Sequence, residues 1–353
     1  MLVFLSLFPS AFAGRVHVAR TRQAHDEYLR QRQLSNRERK LTDVVDRGSE
    51  PPLHMFESKS NFDEERREEG QQGGTLDDLL ATPIKYHGGP VLSGQSLNIY
   101  LIYYGYWPAE IGQNVIENFI QSLSLNGSDA QGGAGDPKVS NWWATSSKYY
   151  SNSSDGSTET VSKEVKLAKV VYDQGSQGKK FDYKTPWKVV MSKIGDGQPF
   201  PYDANGIYMV LTGNNVDISG FCKKFCGWHT MNRLGGSKPV AYALVGHHGL
   251  CPEKCGAKPT SPNGKPWLDA MVSTVAHEIA EAATDPDSSN GWMDSKREEN
   301  ADKCSYNYGV TQTVQNEKGE DAEYNLVGLN NMKFLVQQNW DVTTGACVPQ
   351  STV

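Results

Sequence analysis

Val275-Ala276-His277-Glu278-Ile279-Ala280-Glu281-Ala282-Ala283-Thr284-Asp285-Pro286 is the stretch around which the rest of the chain is organised. From Met271 to Ala283 there is no Gly or Pro, and Ala, Val and Ile dominate. The run predicts a helix that stops at Asp285-Pro286, because proline disfavours helical geometry in the residue before it. His277 and Glu281 are spaced so that both leave one face of that helix, and Asp285 extends the face by a further turn. Imidazole nitrogen and carboxylate oxygen at this spacing reach one divalent ion. Glu278 stands where zinc hydrolases of the His-Glu-x-x-His type keep their general base, with Glu281 replacing the second histidine. The donor set suits zinc first and calcium second, and manganese and iron also accept such ligands.

The plainer reading of the same spacing is an amphipathic helix with Val272, Val275, Ile279 and Ala282 inward and its charges in water. The acids downstream weigh against it. Gly291-Trp292-Met293-Asp294 leads into Glu299-Asn300-Ala301-Asp302-Lys303-Cys304, where a returning loop would supply Glu299 and Asp302 as further ligands.

Outward from the helix, Leu97–Tyr104, Val165–Tyr172, Ile207–Leu211 and Val240–Val245 are apolar, β-rich runs that predict strands. Ile111, Val115, Ile116, Phe119, Ile120 and Leu123 recur at helical spacing, and 186–194 predicts another helix. The expected fold is α+β: a mixed central sheet with flanking helices, broadly as in zincin peptidases, braced by disulfides. That comparison is analogy of fold and carries no chemistry by itself.

The chain has 353 residues, 37% hydrophobic and 22% charged, with a formal charge of -6. This balance excludes a nucleic-acid binder, which needs a concentrated basic surface, and no run is long enough to span a membrane. Oligomeric state is not encoded in any feature. Leu2–Phe12 is a short apolar run ending in Ala11-Phe12-Ala13, so 1–13 reads as a secretory signal peptide. Residues 14–80 are rich in mixed charge, as in Arg37-Glu38-Arg39-Lys40 and Glu64-Glu65-Arg66-Arg67, and poor in core-forming side chains. They read as a disordered charged leader or pro-segment ahead of a globular domain at 81–350.

Cys222, Cys226, Cys251, Cys255, Cys304 and Cys347 form an even set that an exported chain would pair as disulfides. Two Cys-x-x-x-Cys pairs also match a four-thiolate zinc site. Asn126 and Asn152 are glycosylation acceptors. Trp142-Trp143 and Tyr149-Tyr150 read either as core aromatics or as a carbohydrate-stacking surface. His247 and His248, after the last strand, are spare candidates for a ligand or an oxyanion donor.

Several stretches taken in order resemble the EXORDIUM or phosphate-induced protein family. They are Tyr86-His87-Gly88-Gly89-Pro90 with the strand after it, Trp142-Trp143, Lys148-Tyr149-Tyr150, Gly220-Phe221-Cys222-Lys223-Lys224-Phe225-Cys226-Gly227-Trp228-His229, Ala241-Tyr242, and Cys251-Pro252-Glu253-Lys254-Cys255. The resemblance runs from about Thr82 to Val348 and implies an exported protein linked with growth and the cell wall. The His277 helix departs from the land-plant pattern. It is similar to microbial and algal members with His-Glu-x-x-Glu-x-x-Thr-Asp-Pro and a later Gly-Glu-x-x-Asp-x-Cys, whose glycine is Glu298 here.

Two functions are therefore expected. In one, a metal-dependent hydrolase cleaves an amide of a peptide or cell-wall component, with ligands drawn from His277, Glu281, Asp285, Glu299 and Asp302 and with Glu278 as base. In the other, a non-catalytic growth- or matrix-associated binding protein holds a structural ion or none.

Overall fold

The computed structural model describes residues 54–71, 82–108, 112–124, 132, 135–153 and 155–349. The expected signal peptide, the leader as far as residue 53 and Asn126 lie outside the described residues. The elements that position the site are, in chain order, β1 (His54–Glu57), α1 (Lys59–Gln71), β2 (Leu97–Tyr104), α2 (Asn114–Ser122), α3 (Val139–Ser146), β3 (Val165–Asp173), α4 (Thr185–Met191), β4 (Gly206–Thr212), β5 (Phe225–Leu234), β6 (Lys238–Val245) and α5 (Pro266–Thr284).

The main sheet has the order β1-β5-β6-β4-β2-β3. Strands β3, β2, β4 and β6 run parallel; the β2-to-β3 connection carries α2 and α3 and the β3-to-β4 connection carries α4, and these pack on opposite faces of the sheet. The four predicted strands are these four. Their apolar residues fall alternately into two cores, as the two-residue period of a strand requires. Leu97, Ile99, Leu101 and Tyr103 share one core with Ile116 and Phe119 of α2, Trp142 of α3 and Ile279 of α5. Tyr100, Ile102 and Tyr104 share the other with Val189 and Val190 of α4. Strand β5 turns back antiparallel to β6 through Gly235 and Gly236, whose φ values of 60° and 79° are readily adopted by glycine alone. The fold is α+β with a mixed sheet, as expected.

Helix α5 begins one turn before the predicted start, with Pro266 in its first turn, and ends at Asp285 as Pro286 demands. Every residue from Leu268 to Thr284 is buried. The helix therefore has no water-facing side, and the reading in which its charges are merely solvated fails.

The structure differs from the composition at one place. Residues 54–71, assigned by their charge to the leader, form a strand and a helix, and β1 pairs antiparallel with β5. The average over a long charged segment hides a strand of four residues, which needs few buried side chains, here Phe56 at 2% exposure.

All six cysteines are paired, as Cys222–Cys251, Cys226–Cys255 and Cys304–Cys347. The two Cys-x-x-x-Cys segments are thus cross-linked to each other, and the four-thiolate zinc reading falls. Trp142, Trp143 and Tyr149 are core residues, and their polar atoms donate to the carbonyls of Gln337, Ser162 and Trp340. A sugar has no access to them. Asn152 is exposed at the end of a short strand.

Candidate metal centre

The centre is assembled where the C-terminal half of α5 passes beneath β5 and β1. Gly227 of β5 permits this approach, since a Cβ there would lie 2.5 Å from Glu278 Oε1 and 2.7 Å from Thr274 Cγ2. Two residues along the same strand, on the same face, His229 enters the centre, and β1 places His54 directly opposite it. The third wall is the loop after α5. Its turn is closed by Asp294, whose carboxylate accepts from the backbone N–H of Lys296 and Glu298 and pairs with the buried Lys303 ammonium at 3.0 Å. The loop docks on the helix through the Asp302 N–H, which donates to Glu281 Oε1 at 2.9 Å, and is tied to the C-terminal segment by the Cys304–Cys347 disulfide.

Two groups of donors result, and Glu281 belongs to both. One ligand atom each from His54, His229, Glu281 and Glu299 lies within 4.8 Å of the others, and so does one each from His277, Glu281 and Asp302. The two oxygens of Glu281 divide between them. Its Oε2 lies 3.2 Å from His54 Nδ1 and 3.6 Å from His229 Nδ1, and its Oε1 lies 3.0 Å from His277 Nε2. Glu278 Oε2 is 3.3 Å from His229 Nδ1, and Glu278 Oε1 has no hydrogen-bond partner.

The three imidazoles share one contact. The outer nitrogen of each faces an oxygen that only accepts: His54 Nε2 faces the Arg297 carbonyl at 3.0 Å, His229 Nε2 the Asp285 carbonyl at 3.2 Å, and His277 Nδ1 the amide oxygen of Gln337 at 3.3 Å. The Gln337 amide is oriented by its own N–H, which donates to the Ala301 carbonyl at 2.7 Å. These outer nitrogens carry protons, and the other nitrogen of each ring faces carboxylates; His54 Nε2 also lies 3.2 Å from Asp302 Oδ2 and His229 Nε2 3.6 Å from Glu299 Oε2, so only in His277 does one nitrogen alone meet the acids. This arrangement, with one ring nitrogen committed to an oxygen acceptor and the other aimed at a common point, is how histidines are oriented on metals.

Without a cation the centre is electrostatically costly, because ions taken out of water lose about several kcal/mol each unless they are paired. Glu278, Glu281, Asp285 and Glu299 are all fully buried. Burial pushes Glu278 well above the usual carboxylate range, with the Glu281 charge adding to it. Burial does the same to Glu299, reinforced by Asp285 and Glu281, and both Glu299 oxygens lack a hydrogen-bond donor. Burial and the neighbouring Asp287 raise Asp285 to about 7. Burial alone would also raise Glu281, but the His277 and His54 charges hold it below its ordinary value. Burial pulls both of those imidazoles down, and the carboxylates around them more than offset this. Asp302 and Glu281 hold His54 at about 10, and Glu281, Asp302 and Glu278 hold His277 at about 10. Burial takes His229 down to about 3. Unpartnered buried acids beside oriented imidazoles fit a divalent cation.

Of the residues expected from the sequence, His277, Glu281, Glu299 and Asp302 converge, and Glu278 adjoins them. Asp285 does not join either group. Its carboxylate faces the Ser289 N–H at 3.3 Å, and its carbonyl serves His229. His247 stacks on Trp267 with ring centroids 4.1 Å apart, and the buried His248 lies beside Thr274 at 3.3 Å, so neither joins the acids. The sulfurs near His248 belong to the Cys226–Cys255 disulfide and offer no thiolate. Sequence reasoning missed His54 and His229. The one signal for His229 was its alternation with Gly227 in Gly227-Trp228-His229; His54 had none.

The model of the phosphate-induced protein 1 conserved region matches residues 84–350. The chain is similar to Protein EXORDIUM-like 5 of Arabidopsis thaliana, 33% identical over 301 residues that span 76% of this chain and 78% of that protein. Protein EXORDIUM of the same plant is 32% identical, over 75% of this chain and 88% of that one. Protein PHOSPHATE-INDUCED 1 of Nicotiana tabacum is 27% identical, over 75% and 87%. No solved structure matches the chain.

Proposed function

Starting from a chain that belongs to the phosphate-induced protein 1 family, we propose that this member is an exported, metal-dependent hydrolase acting on amide bonds. The observation that carries the reading is the meeting of three imidazoles, each with one nitrogen on an oxygen that only accepts, with buried carboxylates of which Glu299 and one Glu278 oxygen have no hydrogen-bond donor. The ion would be held by His54, His229, Glu281 and Glu299 or by His277, Glu281 and Asp302, with Glu281 common to both groups. A mixed nitrogen and oxygen set favours zinc over calcium, which prefers oxygen throughout.

A divalent ion supplies Lewis acidity, polarising a carbonyl and making water easier to deprotonate. Glu278 takes the proton at Oε1, the oxygen with no competing partner, and returns it to the leaving amine. His229 Nδ1 stands 3.3 Å from Glu278 Oε2, which sets the base beside that imidazole. Export is supported by the three disulfides, which persist in oxidising compartments, and by the exposed acceptor Asn152. Among the described residues no helix is long and apolar enough to cross a membrane.

The test is metal content by mass spectrometry followed by Glu278→Gln. The variant is expected to keep its ion and to lose roughly 10²–10⁴-fold in hydrolysis of a peptide mixture. A metal-free wild-type chain ends the proposal. A second reading, a structural ion in a non-catalytic extracellular binding protein, draws on the complete burial of Glu278, Glu281 and Glu299. It requires that Glu278→Gln change no activity because none exists.

A further inference from the structure

The strand that closes the centre comes from outside the family match at 84–350. It is lightly held. Of the side chains described between 54 and 64, only Phe56 and Ser58 are buried. Among the described residues its partner β5 has no other neighbour on that side of the sheet, so without β1 the N–H and C=O groups of β5 beside the centre would lose their described strand partner.

The way β1 is seated is how a strand-shaped ligand binds. Its backbone runs antiparallel to β5 with His54 opposite His229, Met55 opposite Trp228 and Phe56 opposite Gly227. Alternate side chains fill defined places: His54 enters the acids, and the Phe56 ring lies 4.2 Å from that of His277 and 5.0 Å from that of Tyr306. Two hydrogen bonds fix the end of the strand, from the Tyr306 hydroxyl to the Glu57 carbonyl at 2.7 Å and from the Ser58 N–H to the Lys224 carbonyl at 3.1 Å. In strand addition the main chain supplies affinity and alternate side-chain pockets supply specificity, and both are present here.

We infer that the outer edge of β5 is a binding site for an extended polypeptide strand, and that His54–Glu57 is its built-in occupant, closing the metal centre until the segment is released. The substrate class of the hydrolase is then a polypeptide in extended conformation with a large apolar side chain at the Phe56 position. That consequence rests on the hydrolase reading, whereas the strand pairing stands without it.

The test nicks the folded full-length chain at a protease recognition sequence introduced between Gln71 and Leu80, then adds a fluorescent peptide of sequence 51–71. The nicked chain is expected to exchange its own segment for the labelled one, the intact chain to exclude it, and the peptide carrying Phe56→Ala to bind roughly tenfold more weakly or worse. A second nicked chain carries Phe56→Ala in its own segment, with disulfides and circular dichroism confirming its fold, and its weakened occupant is expected to leave more readily. Failure of both nicked chains to take up the peptide overturns the inference. Metal content, measured in parallel, separates the two readings. A chain that takes up the strand but holds no metal keeps the inference and loses the hydrolase; one that holds metal and refuses the strand does the reverse.

Discussion

His54 and His277 are both held at about 10 in the cation-free chain, because burial, which lowers them, is outweighed by facing carboxylates. Their inner nitrogens therefore carry protons at pH 7, and an ion taking either nitrogen must displace its proton. Ion and proton compete, so affinity is expected to rise by roughly tenfold per pH unit for each proton displaced, up to the raised pKa. Calorimetric titration with zinc in two buffers of different ionisation enthalpy reads the proton count directly. Uptake with no proton release would show that neither imidazole is a ligand. For the cation-free fold the sign is opposite. The folded pKa lies above the ordinary 6.5, so this stabilisation is complete below about 6.5 and is lost as pH rises through about 10.

Among the elements, the contact between β5 and α5 decides whether Glu278 is placed to act. At Gly227 an added methyl group would meet the Glu278 carboxylate, so either the strand lifts or the carboxylate turns. Gly227→Ala is expected to cost about 1–3 kcal/mol in a denaturant melt and, on the proposal that Glu278 is the base rather than a ligand, to lower hydrolysis more than it lowers metal content. Equal losses of both would place Glu278 among the ligands. The loop from Asp294 to Cys304 is the other deciding element. Its residue in the left-handed region is Arg297, with φ of 72°, and Glu298 beside it does not adopt that conformation.

For the molecule as a whole, the Cys304–Cys347 disulfide ties the loop that carries Glu299 and Asp302 to the C-terminal segment, at a sequence separation of 43. Chain entropy puts its contribution at about 4 kcal/mol, and measured losses of native disulfides run at roughly 2–5 kcal/mol. The double variant Cys304→Ser, Cys347→Ser is expected to melt lower by that amount and to hold its ion more weakly, because Glu299 and Asp302 are then positioned only by hydrogen bonds. Unchanged metal affinity in the variant would detach the loop from the centre.

Much of this protein was legible in local pattern. Strands β2, β4 and most of β6 are buried on both faces and therefore read as continuous apolar runs, the edge strand β3 was found from its alternating apolar residues although much of it is exposed, and α5 is bounded by its own proline. The residues His277, Glu278 and Glu281 share a helix, so their spacing alone predicted their proximity, and Glu299 and Asp302 were expected near them because acids follow the helix closely. What the sequence by itself determined was the mixed α+β sheet, the buried helix and one side of the donor set. Only the tertiary structure decided the partners of the cysteines, the withdrawal of Asp285 into its own turn, and the entry of His229 and His54 from two strands of the sheet edge. Strand register sets those positions, and it depends on which backbone groups pair at a sequence separation of 175, His54 against His229, a relation that no short spacing in the sequence records.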